Sequence, residues 1–280
     1  MFVTAGLGFK SQHLDAAIAA REDGLWFEVH AETYMVDGGP RLAALNVLRD
    51  RHPVSLHGVG LSIVSRAAPD ADHLRRLARL VARVQPTAVS DHLAWQRWRG
   101  AHMHDFLPFP RTRQALDFTA DNVARVQDAI GRRLLVENPS LYVDLPGHEL
   151  PETEFLAELA GRTGCGLLVD VNNIFVSAAN LGFDAGAYLD ALPVRAVGEI
   201  HLAGHSRDPD PTSPLLIDTH DAPIVDAVWR LYERLIARIG PRPTLIERDE
   251  NIPPFAELLA ERRRAHDLLA RREVECAHAV

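Results

Sequence analysis

The sequence predicts an α/β protein with the fold of a (β/α)8 TIM barrel, and three observations lead to this prediction. Short apolar runs typical of buried strands recur eight times, and segments with helical spacing of apolar residues separate them. The chain has 280 residues, which is a normal length for one barrel of this kind. The sequence contains no linker, low-complexity segment or shift in composition, so we predict a single domain over residues 1–280.

The predicted strands are spread along the whole chain. They cover residues 3–9, 25–31, 54–60, 88–93, 133–139, 166–172, 196–202 and 243–249. Their shortness and their Val, Leu and Ile content are typical of strands buried on both faces of a parallel sheet. The segments between them place apolar residues three and four positions apart, as in Leu74, Leu77 and Val81, and a last helix over 254–272 closes the predicted ring.

A doubly wound open sheet is the alternative α/β fold. It is disfavoured because a dinucleotide-binding sheet of that type opens its first helix with G-x-G-x-x-G, whereas residues 5–9, AGLGF, contain only G-x-G.

Charge and composition exclude several classes of function. The net charge is −8 and the isoelectric point is about 5.9, so the surface offers no general basic field for nucleic acid or anionic lipid. No apolar run approaches the length of a membrane span, and the first ten residues do not resemble a secretion signal. The two cysteines, Cys165 and Cys276, do not suggest a disulfide framework. We therefore expect a cytoplasmic protein with no membrane or nucleic-acid partner.

Histidines and carboxylates are concentrated at the ends of the predicted strands. These candidate metal ligands are His57, His92, Glu137, Asp170, His201 and Glu247, with Asp218 and His220 on the long loop after the seventh strand. The carboxyl ends of barrel strands meet at one face, where barrel enzymes keep their active sites. Burying so many ionisable groups is costly unless they bind something, and metal ions are the simplest such partner.

Eight ligands are too many for one ion that keeps open coordination positions. Catalytic zinc or iron takes about three protein ligands, so the residues predict two or three ions. Glu137 and Glu247 are suited to bridge neighbouring ions, and an extended 218–220 segment would place Asp218 and His220 on one face above the barrel. The absence of cysteine ligands disfavours structural zinc but leaves iron, manganese and catalytic zinc open.

A second set of residues is expected to orient the ligands or to contact substrate. It comprises Glu28, Asn173, Glu199 and His205. Glu28 shares a strand face with His30, and Glu199 shares one with His201. Asn172 and Asn173 have the alternative interpretation of turn formers, and the remaining histidines are expected at the surface, including His13, His52, His73, His148 and His266.

Ten motifs, taken together and in this order, resemble the multinuclear non-heme iron-dependent oxidases, the family of the methanobactin-biosynthesis oxidase. They are GLGFK, LWFEVHAETY, SLHGVGLS, VSDHLAW, LPFPRTR, ENPS, LLVDVNNI, GEIHLAGH, LIDTHD and IERDENIP. The resemblance runs from Ala5 to about Ala265. Thr33 stands where members commonly have Asn, and Asp91 stands where they commonly have Glu. These two departures leave the choice of substrate more open than the binding of metal.

The resemblance implies a function more specific than the residues alone do. It implies a barrel that holds two or three iron ions (Fe2+/Fe3+) and uses dioxygen as co-substrate to modify residues, often cysteines, of a ribosomally made precursor peptide. It assigns metal binding to the same eight residues, with Asn173 as a further contact. It also implies a separate partner protein that recognises the leader segment of the precursor.

Two other classes of function remain open at the level of sequence. One is a divalent-metal-dependent isomerase or hydrolase similar to xylose isomerase and endonuclease IV, in which ions polarise oxygen or activate water. The other is a metal-dependent binding protein without turnover.

Overall fold

A closed barrel of eight parallel strands forms the centre of the computed structural model, which describes residues 3–98 and 101–278. The strands of the chain are β1 Ala5–Gly8, β2 Phe27–His30, β3 Val54–Gly58, β4 Val89–His92, β5 Trp95–Trp98, β6 Ala101–Leu107, β7 Leu135–Glu137, β8 Gly166–Asp170, β9 Val197–Leu202, β10 Ser206–Arg207, β11 Leu216–Ile217 and β12 Thr244–Ile246. The barrel order is β1-β12-β9-β8-β7-β4-β3-β2. Each barrel strand falls within one of the predicted segments, which confirms the TIM barrel.

Ten α-helices are assigned in the described part of the chain, and most of them surround the barrel. They are α1 Leu14–Ala19, α2 Ala31–Tyr34, α3 Pro40–Arg49, α4 Ala71–Val84, α5 Arg113–Ile130, α6 Glu152–Thr163, α7 Val171–Leu181, α8 Ala185–Ala191, α9 Asp226–Ile239 and α10 Phe255–His278. On α4 the buried positions Leu77, Leu80, Val81 and Val84 repeat at three and four residues, as expected for a helix with one apolar face. Within the described ranges, no helix has the length and apolar character needed to cross a membrane.

The main apolar core lies between the barrel and the helices. It includes Leu134, Val136, Leu167, Val169 and Ile246, which alternate along the strands with residues that face the barrel axis. Cys165 is also part of this core, as expected of a structural thiol, while the side chain of Cys276 lies outside the described residues.

Two layers of side chains fill the barrel interior above its amino-terminal end. The upper layer, at the carboxyl ends of the strands, consists of His30, His57, His92, Glu137, Asp170, His201 and Glu247. The lower layer, two residues earlier on each strand, consists of Glu28, Ser55, Ser90, Leu135, Leu168, Glu199 and Leu245. Strand register fixes their neighbours, because His30 pairs with His57, His92 with Glu137, and Asp170 with His201.

Two short antiparallel hairpins stand beside the carboxyl end of the barrel. The first, β5–β6, directly follows β4, and the second, β10–β11, lies between β9 and α9. The loop after β9 packs closely at Gly204, where a Cβ would lie 2.0 Å from the carbonyl oxygen of Ala222. Only glycine permits this approach.

Candidate metal centre

The structure brings all eight predicted ligands together at the carboxyl end of the barrel. Three groups of ligand atoms there consist of predicted ligands alone, and within each group the atoms lie within 4.8 Å of one another. The groups are His57, His92 and Glu137; Glu137, Asp170 and His201; and Asp170, His220 and Glu247. Glu137 and Asp170 each belong to two groups, so the groups form a continuous chain. Asp218 joins this chain through His220, whose Nε2 lies 2.8 Å from Asp218 Oδ1.

The first group has the geometry expected around a single ion. The Nε2 atoms of His57 and His92 each lie 3.3 Å from the same atom, Oε2 of Glu137. Their Nδ1 atoms are occupied elsewhere, by Ser90 Oγ at 2.7 Å and by the carbonyl oxygen of Gly58 at 3.2 Å. A second hydrogen bond of this kind fixes the ring of a metal-binding histidine and leaves its other nitrogen free as a ligand.

Burial sets the charge of this first group. Burial lowers the pKa of His57 to about 3, and His92 beside it acts in the same direction. Burial likewise lowers the pKa of His92 to about 3. Both imidazoles are therefore neutral at neutral pH, which is the form that binds metal. Burial raises the pKa of Glu137 well above its ordinary value, so an ionised Glu137 needs a cation beside it.

Asp170 lies where the second and third groups meet. Its Oδ1 accepts a hydrogen bond from the Asn173 backbone N–H at 2.6 Å and so caps helix α7, while its Oδ2 has no hydrogen-bond partner among the described residues. Burial, together with the nearby carboxylate of Asp218, raises the pKa of Asp170 to about 7. One carboxylate oxygen therefore holds the backbone, and the other is available to an ion.

The loop that carries Asp218 and His220 turns at His220, so the condition of an extended segment is not met. His220 has a φ of 49°, in the left-handed region, and this turn brings its ring back onto Asp218. Its Nδ1 lies 3.2 Å from Asp249 Oδ2 and 3.5 Å from Glu247 Oε2. A strained backbone angle of this kind persists only where surrounding contacts hold it, and such angles cluster at functional sites.

The predicted neighbours of the ligands lie at two levels around the centre. The backbone N–H of Asn173 donates to Asp170 Oδ1, and the buried side-chain Oδ1 of Asn173 has no hydrogen-bond partner in the described part of the chain. His205 is linked to the ligand Asp218 through Asn172. Its Nδ1 bonds Asn172 Oδ1 at 2.7 Å, and Asn172 Nδ2 donates to Asp218 Oδ1 at 2.7 Å. Asn172 is therefore a buried connecting residue on α7, and its interpretation as a turn former is wrong.

Glu28 and Glu199 lie below the upper layer. The Nε2 atom of His201 is 3.3 Å from Glu28 Oε1 and 3.7 Å from Glu199 Oε1. All three side chains are buried.

The sequence did not predict Asp249 as a residue of the site, and the expectation that His73 lies at the surface is wrong. Asp249 forms a group with His30 and Glu247, and it shares a face with Glu247 in IERD, which is the signal that was available. His73 was expected at the surface, but its side chain is only 12% exposed and its Nε2 lies 3.3 Å from Glu32 Oε1. None of the five histidines expected at the surface is fully exposed.

Two cavities reach the upper layer. The mouth cavity, about 710 Å3, has an apolar wall of Phe106, Leu107, Pro108, Leu141, Tyr142 and Val143. Phe106, from the β5–β6 hairpin, stacks on the His92 ring at 3.6 Å between centroids. The side cavity, about 470 Å3, opens near β1 and β2 and includes Gly8, Lys10 and Arg41. His30 and Glu247 line both cavities.

The residues of the centre fit a group of transition-metal ions. Imidazole and carboxylate donors suit iron, manganese or zinc, and no cysteine belongs to the three groups. Glu137 Oε2 and Asp170 Oδ2 are buried atoms without hydrogen-bond partners among the described residues. Such atoms are rare in proteins unless a ligand or ion satisfies them.

Comparison with solved structures supports the fold. D-psicose 3-epimerase from Clostridium cellulolyticum superposes with a TM-score of 0.63 at 9% identity, over 96% of this chain and 99% of that one. Endonuclease IV from Thermus thermophilus gives a TM-score of 0.56 at 16% identity, over 96% and 99% of the two chains. At such low identity the likeness extends to the barrel fold alone.

Comparison of sequences identifies the family. A UPF0276 protein of Caulobacter vibrioides (strain NA1000 / CB15N) is 65% identical over 96% of both chains. A UPF0276 protein of Paraburkholderia phytofirmans is 49% identical over 98% of this chain and 90% of its own. Residues 4–270 match the model of the family described as RiPP precursor modification enzyme MbnB/TglH/ChrH, where RiPP denotes a ribosomally synthesised and post-translationally modified peptide. The chain therefore belongs to this family of enzymes that modify RiPP precursors.

Proposed function

We propose that this protein is a multinuclear non-heme iron oxidase that uses dioxygen to modify residues, most often cysteines, of a ribosomally made precursor peptide. The observation that carries the proposal is the chain of three linked ligand groups at the floor of the mouth cavity. The centre holds two or three iron ions (Fe2+/Fe3+). Its ligands are His57, His92, Glu137, Asp170, His201, Asp218, His220 and Glu247, with Asn173 as a further contact.

The protein's own residues prepare the centre for this reaction. When bound, the iron supplies one-electron chemistry toward dioxygen and a thiolate. Ser90 and the Gly58 carbonyl hold the His57 and His92 rings so that both Nε2 lone pairs face inward. The apolar wall of the mouth cavity contacts the peptide and keeps water away from the reacting residue.

Asp249 is a charged carboxylate beside the proposed metal ligands. It lies at the edge of the mouth cavity, where Lys10 Nζ contacts its Oδ1 at 2.6 Å and His220 Nδ1 faces its Oδ2 at 3.2 Å. Burial and Glu247 act to raise its pKa, but the His220 hydrogen bond and Lys10 leave the pKa of Asp249 lowered overall. Asp249 is therefore ionised and adds negative charge where the ions would bind.

The family requires a precursor peptide as substrate, and we further propose a separate protein partner that recognises its leader. The mouth cavity has room for the residue to be modified and its immediate neighbours, but a leader segment needs a surface of its own. We also propose that the reaction takes place in the cytoplasm, where precursor thiols stay reduced.

The proposal is tested with anaerobically purified protein. Elemental analysis and Mössbauer spectroscopy should find iron of mixed valence. A Cys-containing precursor encoded beside the gene, incubated with the enzyme and the partner protein, should change in mass only when dioxygen is admitted. Asp170→Ala should lose part of the iron while circular dichroism shows an intact barrel.

Two results would contradict the proposal. An equal mass change under nitrogen would exclude an oxidase. Zinc or manganese at full occupancy, with catalysis independent of dioxygen, would instead support a divalent-metal isomerase or hydrolase.

A further inference from the structure

A separate group of metal-ligating side chains lies inside the barrel, largely below the upper layer. Its ligand atoms are Glu28 Oε1, Glu199 Oε1 and His201 Nε2, and they lie within 4.8 Å of one another. The exposed fractions of the three residues are 3%, 0% and 0%. Glu28 and Glu199 belong to the lower layer, and none of the proposed ligand groups of the oxidase centre contains them.

This group has more acceptors than donors. Both carboxylate oxygens of Glu199 and the Nε2 atom of His201 have no hydrogen-bond partner in the described part of the chain. The other ring nitrogen, Nδ1, lies in a hydrogen bond of 3.2 Å with Glu247 Oε2. Burial acts to lower the pKa of His201, but Glu28, Glu199 and Glu247 raise it well above its ordinary value. The carboxylates thus hold a positive charge on this ring, and a cation bound among the three ligand atoms would supply that charge in its place.

The surroundings supply no lysine or arginine to neutralise the two carboxylates. Among the residues described, neither Glu28 nor Glu199 forms an ion pair with lysine or arginine, and His201 is their basic neighbour. Glu28 Oε2 accepts a hydrogen bond of 2.9 Å from Ser55, which aims Oε1 at His201. Leu135 and Leu168 are apolar members of the same layer. A divalent cation among the three ligand atoms would neutralise both carboxylates.

The spacing of the atoms fits coordination better than hydrogen bonding. Charge-assisted hydrogen bonds between nitrogen and carboxylate oxygen are about 2.7–2.9 Å long. Donor atoms that each lie about 2.0–2.2 Å from one ion are separated by roughly 3–3.6 Å. The distances from His201 Nε2 are 3.3 Å to Glu28 and 3.7 Å to Glu199. The same 3.3 Å spacing occurs between His57, His92 and Glu137.

The side cavity gives an ion a route to this group. Glu28 lines that cavity together with Gly8, His30 and Glu247. A Cβ on Gly8 would meet nothing closer than 3.8 Å, so the absence of a side chain on β1 leaves space beside Glu28. The cavity thus connects the surface near Lys10 with the lower layer.

We propose that Glu28, Glu199 and His201 form a divalent-cation site below the oxidase centre. Two carboxylate oxygens and one imidazole nitrogen suit Fe2+, Mn2+ or Zn2+. His201 serves this site through Nε2 and the centre above through Nδ1. To bind both ions the ring would have to lose both of its N–H protons, so occupation of the two positions would release protons to solvent. The lower site does not depend on the oxidase activity, because its ligands bind a cation whatever reaction the upper centre performs.

Metal stoichiometry of the full-length protein tests the proposal. The chelator-treated protein is reconstituted anaerobically with Fe2+ alone, or with Mn2+ alone, and the bound equivalents are measured by elemental analysis after gel filtration and by calorimetric titration. Glu199→Leu removes the ligand and fits the leucine-containing lower layer. The control is Glu152→Gln, which changes a carboxyl group that is only 10% exposed and lies outside the centre. We expect Glu199→Leu to bind one equivalent fewer than the parent and the control to bind as many as the parent.

A second variant tests whether Glu199 binds the ion itself or only orients the ring of His201. Glu199→Gln keeps the shape of the side chain and removes its charge. The ion that Glu199→Leu fails to bind should therefore bind to Glu199→Gln at least about tenfold more weakly than to the parent. Equal stoichiometry and affinity in the parent and both variants would overturn the proposal. Weaker binding of the upper ions with no change in the number of equivalents would also overturn it, since Glu28 and Glu199 would then only orient the ring.

Discussion

The side chain of Asn138 holds the backbone of Asp170 in place with two hydrogen bonds of the kind that a neighbouring strand would make. Its Nδ2 donates to the Asp170 carbonyl oxygen and its Oδ1 accepts from the Asp170 N–H, both at 3.0 Å. Because β7 ends at Glu137, this side chain continues the pairing with β8 by one more residue. The backbone of Asp170 is therefore fixed at the point where the strand becomes helix α7.

Asn138→Ala should destabilise the protein and loosen the metal bound at Asp170. The variant removes two buried hydrogen bonds to the backbone of Asp170, which costs about 1–3 kcal/mol. Asn180→Ala is a matched control, because Asn180 makes the same pair of bonds to the backbone of Leu216, at 3.0 and 2.9 Å, on the β10–β11 hairpin. Chemical denaturation and metal analysis provide the comparison. Equal metal loss in both variants would show that Asn138 has no particular role at Asp170.

Glu152 should make the stability of the folded protein depend on pH, and the sign of this dependence follows from the burial of its carboxyl group. Burial raises its pKa above the ordinary 4.5, although Arg111 and the Tyr188 hydroxyl act in the opposite direction. A raised pKa means that the folded state holds the proton more tightly than the unfolded state, so this stability is complete below the unfolded pKa and is lost as pH rises through the folded pKa. Glutamine does not titrate. The stability of Glu152→Gln relative to the parent should therefore increase from about pH 4 to about pH 7.

Denaturant titrations at several pH values measure this difference. The exposed Glu154, on the same turn of α6, gives the control variant Glu154→Gln. A relative stability of Glu152→Gln that stays constant or falls over the range would refute the interpretation.

Among single residues, the sequence could predict those whose positions follow from regular strand geometry. His57, His92, Glu137, Asp170 and Glu247 were predictable as neighbours because each ends an apolar run, and strand ends in a barrel converge. Asn138 was not predictable. An asparagine after a strand usually indicates a turn, and only the three-dimensional position of Asp170 gives its amide two backbone partners.

The loop between β9 and α9 is a long, largely irregular segment, yet its end is firmly held. Asp218 accepts from Asn172 at 2.7 Å, and its backbone N–H donates to the Tyr142 hydroxyl at 3.0 Å. The ring of His220 lies between Asp218 and Asp249. These contacts come from several elements, and most of them join the loop to the barrel through side chains.

Any ion bound by Asp218 and His220 should be the first to leave. Strand-end ligands are held by barrel pairing, whereas this pair depends on loop contacts that open at lower cost. The double variant Asp218→Ala with His220→Ala should lose the fraction of metal that a chelator removes fastest from the parent, and keep the slow fraction. Timed chelation followed by elemental analysis measures both. Unchanged fast and slow fractions in the double variant would mean that the loop does not close the centre.

The barrel elements were predictable and the hairpins were not. The eight barrel strands are short and largely buried, and their helix-facing residues are mostly apolar, which gives a recognisable sequence pattern. Strands β5 and β6 instead mix tryptophan, histidine and charged residues, because they pack beside the barrel mouth rather than in the main core. Their pairing also shifts in register between Trp95 and Arg97, which removes the simple alternation that a sequence pattern needs.

Closure of the whole molecule depends on contacts between the two ends of the chain. Strand β1 pairs with β12 as well as with β2. Arg262, on α10, is 2% exposed and donates to the carbonyl oxygen of Ala5 at 2.8 Å and to that of Asp23. A buried guanidinium therefore ties the last helix to the first strand and to the loop before β2.

Arg262→Met should lower the free energy of unfolding by about 3 kcal/mol, because two carbonyl groups lose a charged donor. The neighbouring Arg263→Met is the control. Arg263 is exposed and pairs with Glu22 at 3.1 Å, and such a surface pair contributes less than about 1 kcal/mol. Urea denaturation followed by circular dichroism compares the two variants. A similar small loss for both would show that Arg262 is not important for closure.

The pairing of the first strand with the last also has a consequence during protein synthesis. Until β12 and α10 have emerged from the ribosome, β1 has no β12 beside it and the Ala5 carbonyl has no guanidinium. The nascent chain then has two open sheet edges, which are the surfaces most prone to pair with other chains. We therefore expect emergence of β12 and α10, rather than of any earlier segment, to be the moment at which the barrel becomes resistant to proteases and to aggregation.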